Sequence, residues 1–225
     1  MKSAERRTIH VKFLLIFALA LLIFTGCSTQ SPFILENLDT AKKLVQNYYE
    51  SGQFDNECKE VIDDAIAKIE QLTIDDKSVV VFDVDETALS NYRHTKEIGF
   101  GFVSSLWHQW MLKADGTAIP QTKRFYDWLI SKNIRVFFVT GRYQVVKEAT
   151  RKNLINQGFV KFDTLIVRKP SEQKIPAAEY KAQKRDELTK EGYNIIASIG
   201  DQWSDLVGGN AGIKIKLPNY LYLID

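Results

Sequence analysis

The segment Val79-Val80-Val81-Phe82-Asp83-Val84-Asp85-Glu86-Thr87 runs four apolar residues, three of them β-branched, straight into two aspartates. Half-exposed strands alternate apolar and polar residues, whereas an unbroken apolar run marks a strand covered on both faces, the habit of parallel sheets. Similar runs recur at 136–139, 165–167 and 195–199. Between them lie helical stretches at about 120–132, 143–157 and 176–191, and two more precede the first run, at about 33–51 and 54–71. In the second of these Val61, Ile62, Ala65, Ile66 and Ile69 recur at spacings of three and four, one buried helix face. Strands alternating with helices predict an α/β fold, a doubly wound parallel sheet with helices on both faces and an N-terminal helical extension.

Ligands of such sheets bind at the carboxyl ends of the strands. Three of the four runs end there in polar clusters: Asp83-Val84-Asp85-Glu86-Thr87, Thr140-Gly141-Arg142 and Gly200-Asp201. Asp83 and Asp85 point into one crevice once the chain leaves the strand, and like charges that close are unfavourable without a cation or proton between them. Asp201 and Asp205, four apart, again share a face. Carboxylates without a thiolate or histidine companion suit a hard, oxygen-seeking ion, so Mg²⁺ is the expected cofactor, held by Asp83, Asp85, Asp201 and Asp205. Helix-capping aspartates would explain one such pair; two pairs at strand ends of one sheet point to a site.

Residues 88–118 break the alternation. They hold Tyr92, Phe100, Phe102, Trp107 and Trp110, and a long insertion at the mouth of a site is more often functional than not. Two readings compete: a helical flap packing its own rings, and a substrate-contacting surface in which Trp107 and Trp110 take part. His94 and His108, also in the insertion, read as packing or surface residues or as donors to substrate. The lysine and glutamate runs of 169–191 read as a solvated helix face.

Four stretches in order carry a resemblance. Phe82-Asp83-Val84-Asp85-Glu86-Thr87 resembles the first motif of the haloacid dehalogenase (HAD) superfamily of phosphotransferases, and Val139-Thr140-Gly141-Arg142 is similar to the second. Tyr180-Lys181-Ala182-Gln183-Lys184-Arg185 resembles the lysine-bearing third, and Gly200-Asp201-Gln202-Trp203-Ser204-Asp205-Leu206 the acidic fourth. Together they look like the acid phosphatase branch (class B, subfamily IIIB), which includes plant acid phosphatases and vegetative storage proteins, with bacterial lipoprotein acid phosphatases as relatives; Leu217-Pro218-Asn219 also fits. The resemblance implies a HAD-like fold and a Mg²⁺-dependent phosphomonoesterase with Asp83 as nucleophile. Asp85, kept protonated by acidic crowding, is then the acid and base, and Asp85 also lends its backbone carbonyl to the metal. Thr140 and Lys181 hold the phosphoryl oxygens, with Lys184 as rival for the lysine role. Asp205 binds the metal through water or orients Lys181. Gly141 and Arg142 complete the expected substrate contacts, although Arg142 also reads as the partner of a nearby acid. A storage or binding protein on the same fold, and a phosphotransferase to alcohols, are the alternatives. The aromatic insertion favours 5′-nucleotides or related aromatic phosphomonoesters as substrates.

The chain's 225 residues carry 30 Lys+Arg against 28 Asp+Glu with 45% hydrophobic content, an ordinary globular balance. Without residues 1–26 the balance is 26 basic to 27 acidic side chains, which leaves no electrostatic footprint for a nucleic acid polymer. Residues 1–12 are basic and 13–24 form an apolar run of twelve, short of the roughly 20 that span a bilayer. Followed by Thr25-Gly26-Cys27, this is the pattern of a lipoprotein signal peptide, 1–26, with Cys27 as the lipidated residue, a tether at 27–32 and a domain at 33–225. The expected location is outside the cytoplasm, anchored by lipid to a bacterial membrane, the outer one if present. Cys58 is then the one thiol left, so no intramolecular disulfide forms and the thiol reads as a structural or surface one.

Overall fold

The computed structural model describes residues 36–224. The signal sequence, Cys27 and the tether lie outside the described residues. Five parallel strands form the central sheet: β1 Ser78–Phe82, β4 Arg135–Tyr143, β5 Thr164–Arg168, β6 Asn194–Gly200 and β7 Ile213–Lys216. Their order is β5-β4-β1-β6-β7, with β1 in the middle. Successive β1 side chains serve different cores. Val80 and Phe82 join one cluster with Ile62, Phe125, Phe138 and Leu154, while Val79 and Val81 join another with Phe137, Val139, Tyr180 and Leu188. The unbroken valine run is therefore buried on both sides, as its composition requires.

The helices follow from the strand order. The chain moves outward from β1 to β4 and β5 through α5 Pro120–Ser131 and α6 Lys147–Asn156, and both pack on one face. It returns across the sheet to β6 through α7 Ala177–Lys190, which covers the other face. Right-handed crossovers dictate that change of face when the direction of travel reverses. The first face is completed by α1 Leu38–Glu50 and α2 Gln53–Ile69, whose Phe54, Cys58, Ile62, Ala65 and Ile69 form one buried stripe. Cys58 lies in that stripe, a core thiol whose pKa burial pushes up to about 12. Pro120 opens α5 at a first-turn position, where its missing N–H is no loss.

Three local expectations are corrected. The helix expected from 143 begins at 147, because β4 continues through Thr140 and Gly141 to Tyr143, which pairs with Arg168. The fifth strand, β7, was outside the expected set: its Ile-Lys-Ile-Lys has no apolar run, since it is an edge strand. On α7 the buried face includes Tyr180, Lys181, Lys184, Arg185 and Leu188, so three of its basic side chains are not solvated.

The insertion forms a two-stranded antiparallel ribbon, β2 Leu89–Ser90 with β3 Thr117–Ala118, enclosing α3 Tyr92–Glu97 and α4 Ser104–Lys113. Among the described residues no helix is long and apolar enough to cross a membrane.

Candidate active site

The backbone N–H of Asp83 donates to Ile199 O at 2.9 Å, the last rung joining the end of β1 to β6. The chain then turns tightly, with Ala88 N and Leu89 N both donating to Val84 O (3.0 and 2.8 Å) and Glu86 at φ 50°. A non-glycine residue in that left-handed region is held there by its surroundings. The turn leaves Asp83 buried and Asp85 at the edge of the crevice. Because the chain leaves β1 for β4 on one side and returns to β6 on the other, this edge is the topological switch point of the sheet.

Asp83, Asp201 and Asp205 are all buried, and each offers a carboxylate oxygen within 4.8 Å of the others. Lys181, from α7, reaches into this group. Its ammonium donates to Asp83 Oδ1 and to Val139 O (2.6 Å), and pairs with Asp205 Oδ1 at 2.9 Å. Lys184 faces elsewhere and pairs with Glu172 and Glu187 at 2.7 and 2.9 Å, so Lys181 is the one of the two that meets the aspartates. Asp205 orients Lys181 with one oxygen and accepts Gln202 N at 3.0 Å with the other. Gly200 makes this approach possible: a Cβ there would lie 2.4 Å from Asp205 Cβ.

Three carboxylates and one ammonium leave an excess of two negative charges in a buried space. Burial, with repulsion from Asp205, Asp201 and Asp85, raises the Asp83 carboxyl well above the usual range even against the lowering effect of Lys181. Asp201 is pushed up to about 7 by burial and by repulsion from Asp205 and Glu86. An all-oxygen donor set with an uncompensated charge of about two fits a hard divalent cation, and it fits Mg²⁺ by chemistry.

Asp85 repels its acidic neighbours Asp83 and Glu86, and it is also held by donors. Arg142, from the end of β4, grips it with Nη2 to Oδ1 at 2.7 Å and Nε at 3.0 Å from Oδ2. Asn91 Nδ2 adds a donor to Oδ1 at 2.9 Å. Arg142 is spent on this pair and on Thr150 Oγ1 (3.1 Å). Thr140 is buried beside it and accepts Arg142 N at 3.2 Å, while Gly141 is exposed at the crevice edge.

Trp110 is corrected too. It is only 5% exposed, its indole N–H donates to Asn91 Oδ1 at 2.8 Å, and its ring stacks on His94 at 5.2 Å between centroids. It packs the flap and fixes the asparagine that orients Asp85. His94 belongs to the same packing, and His108 is exposed. Tyr92 stacks on Tyr49 of α1 (4.9 Å) and donates to Glu50 at 2.7 Å. Trp107 is half-buried with the Arg142 guanidinium 5.8 Å from its ring centre, and Phe102 is 75% exposed.

Sequence reasoning passed over Glu86, Asn91, Gln202 and Tyr222. Glu86 is buried against Asn91 N (2.6 Å), Asn91 Nδ2 (3.0 Å) and Tyr222 OH (2.7 Å), and burial with the nearby Asp85 charge raises it to about 7. The cluster Asp-Val-Asp-Glu was the available signal for Glu86, and the motif at 200–206 for Gln202; Asn91 and Tyr222 have none, because they sit in irregular segments without a period.

A family model described as HAD superfamily, subfamily IIIB (acid phosphatase), matches residues 33–225. The chain is similar to the Stem 28 kDa glycoprotein of Glycine max, 36% identical over 188 residues, 81% of this chain and 74% of that protein. It is 33% identical to vegetative storage protein 1 of Arabidopsis thaliana (84% of this chain, 73% of that one) and 32% identical to acid phosphatase 1 of Solanum lycopersicum (80% and 73%). Its fold is similar to that of the class C acid phosphatase from Bacillus anthracis, with a TM-score of 0.69 over 83% of this chain and 86% of that one at 21% identity.

Proposed function

The chain belongs to the HAD superfamily, subfamily IIIB, the acid phosphatases, a phosphomonoesterase family, and from that premise we propose a Mg²⁺-dependent enzyme acting through an aspartyl-phosphate. The observation that carries the reading is the buried group of Asp83, Asp201 and Asp205 with Lys181 among them at the switch point of the sheet. Held by Asp83, Asp201, Asp205 and the Asp85 backbone carbonyl, Mg²⁺ would offset the repulsion between carboxylate and phosphate dianion and orient the phosphoryl group.

A carboxylate oxygen of Asp83 attacks phosphorus in line; the new O–P bond forms as the ester P–O bond breaks. Asp85 gives its proton to the leaving oxygen, then takes one from the water that attacks the aspartyl-phosphate, releasing inorganic phosphate and restoring Asp83. Arg142 and Asn91 fix the direction in which Asp85 works. Thr140 and Lys181 stabilise the equatorial oxygens as charge spreads over them.

For substrate class the reading is 5′-nucleotides or related aromatic phosphomonoesters. Its support is now Trp107 beside Arg142 and the exposed Phe102, without Trp110. Base–aromatic stacking is worth roughly 1–3 kcal/mol per base. The location proposed is outside the cytoplasm, with Cys27 lipidated; the motif at residues 13–27 supports it.

The test is Asp83→Asn assayed on a generic aryl phosphate, with the wild type treated with EDTA and resupplied with Mg²⁺. Turnover should vanish in the variant and return with Mg²⁺ in the wild type; activity retained by Asp83→Asn overturns the mechanism. The likeness to a vegetative storage protein favours a second reading, a storage-type protein with little catalysis. A wild type without turnover in the same assay would select it. An alcohol acceptor that diverts the phosphoryl group from water would identify a phosphotransferase.

A further inference from the structure

Residues 217–224 follow the edge strand β7 and form neither helix nor strand, yet they reach the centre of the acidic group. Asn219 Nδ2 donates to Asp201 Oδ2 at 2.6 Å. Gln202 Nε2 donates to the same oxygen at 2.6 Å, and Thr87 Oγ1 to Oδ1 at 3.1 Å. A carboxylate has about four lone-pair sites. Three donors fix its rotation and leave one site, on Oδ1, uncommitted.

The amide of Asn219 is itself oriented. Its Oδ1 accepts Leu221 N at 2.7 Å and Tyr49 OH at 3.4 Å, so the NH₂ end must face Asp201. Tyr220 docks the segment on α1, its ring 4.7 Å from that of Tyr48 and its N–H donating to Tyr49 OH at 3.3 Å. Farther on, Tyr222 OH donates to Glu86, Tyr222 O accepts Gln202 Nε2 at 3.3 Å, and Ile224 N donates to Gln202 Oε1 at 3.1 Å. The segment thus supplies one donor to Asp201 and holds the residue that supplies another.

We infer that the C-terminal segment is a working part of the site, with Asn219 and Tyr222 as positioning residues that preset the Asp201 carboxylate for a divalent cation. The inference rests on the reading of Asp201 as a metal-holding residue. Residues that orient a metal ligand typically contribute 10–100-fold to metal affinity when removed. A segment that merely packed against the domain would lower thermal stability without selectively changing the affinity for the ion.

The test is calorimetric titration of Mg²⁺ into the metal-stripped full chain in detergent, with circular dichroism and melting temperature recorded without metal. Asn219→Ala should bind Mg²⁺ about tenfold more weakly, and Asn219→Asp, which points a like charge at Asp201, more weakly still. Tyr222→Phe removes one hydroxyl and keeps the ring; it should weaken binding about threefold or more, through Glu86 and the loss of order at Gln202. Folded Asn219 variants whose Mg²⁺ affinity stays within twofold of wild type overturn the inference. If Asn219→Ala fails to fold, unchanged affinity in Tyr222→Phe overturns it. A wild type that takes up no Mg²⁺ removes the metal reading itself, and this inference with it.

Discussion

Stripped of divalent cation, the protein should be more stable at pH 5 than at pH 7.5. Asp201 and Glu86 have pKa values raised to about 7 from ordinary values of 3.8 and 4.5, chiefly by burial, and Asp83 is raised as well. A group whose folded pKa is raised prefers its proton in the folded state. Its contribution is complete below the unfolded pKa and is lost as pH rises through the folded one, here between about 4 and 7. At roughly 1.4 kcal/mol per pH unit, Asp201 and Glu86 each lose about 2 kcal/mol between pH 5 and 7.5. The Asp201 shift already includes repulsion from Glu86, so the expected total is about 3 kcal/mol. His94 works the other way, since burial lowers its pKa and its contribution grows with pH, but one partly screened imidazole does not cancel two buried carboxyls. The lowered acids, Glu50, Asp63, Asp75 and Glu172, lose their contributions only as pH falls below their ordinary values, outside this window. Mg²⁺ binds the deprotonated carboxylates and adds stability that grows with pH, so it should flatten or reverse the slope. Urea denaturation followed by far-UV circular dichroism at pH 5, 6, 7 and 7.5, with EDTA and with Mg²⁺, measures both curves, and Asp201→Asn should flatten the metal-free one. Metal-free protein as stable at pH 7.5 as at pH 5 would refute the argument that the site is an over-charged, buried acidic group.

Lys181→Met leaves Asp83 and Asp205 facing each other without their shared cation; breaking a buried pair in this way costs about 3–5 kcal/mol, read by urea denaturation of the metal-free protein at pH 7.5, and turnover at saturating Mg²⁺ should fall about 100-fold. Lys184→Met, which disturbs Glu172, Glu187 and the Tyr180 ring but none of the aspartates, should keep its turnover, and a Lys181 variant destabilised by less than about 1 kcal/mol would count against the pairing. Trp107→Ala should reduce kcat/KM for nucleoside monophosphates about tenfold relative to sugar phosphates, whereas Trp110→Phe, which deprives Asn91 of its donor, should lower kcat alike for every substrate; equal use of both substrate classes by the wild type would end the nucleotide reading. Metabolic labelling with palmitate should mark the wild type and not Cys27→Ser, and label that survives the substitution would refute anchoring at that residue.

Strand positions and the ends that bear chemistry were legible because each rests on a local rule. A strand buried on both faces must be an apolar run, and a run that breaks off in Asp83 and Asp85, in Thr140, or in Gly200-Asp201 puts those side chains at one edge of the sheet. Helices were legible through their periodic stripes, best in α2, where Ile62, Ala65 and Ile69 of the expected face are buried, Val61 and Ile66 are partly buried, and Phe54 and Cys58 extend the stripe. The choice of Lys181 over Lys184 was open in one dimension. The structure sends the two side chains in different directions from α7, Lys181 toward Asp83 and Lys184 toward Glu172.

What the tertiary structure alone decided is the set of partners. Asp85 meets Arg142 across 57 residues, Asp201 meets Asn219 from beyond the last strand, and Trp110 turns its indole onto Asn91 rather than toward a substrate. Each of these contacts joins segments with no common period, and a hydrogen bond between distant residues leaves no trace in the composition of either neighbourhood. Local sequence therefore determined which residues stand at the site's edge. Their charges, orientations and proton affinities were determined by groups that only folding brings within 3 Å of them, in a buried space where one guanidinium or one amide outweighs everything adjacent in the chain.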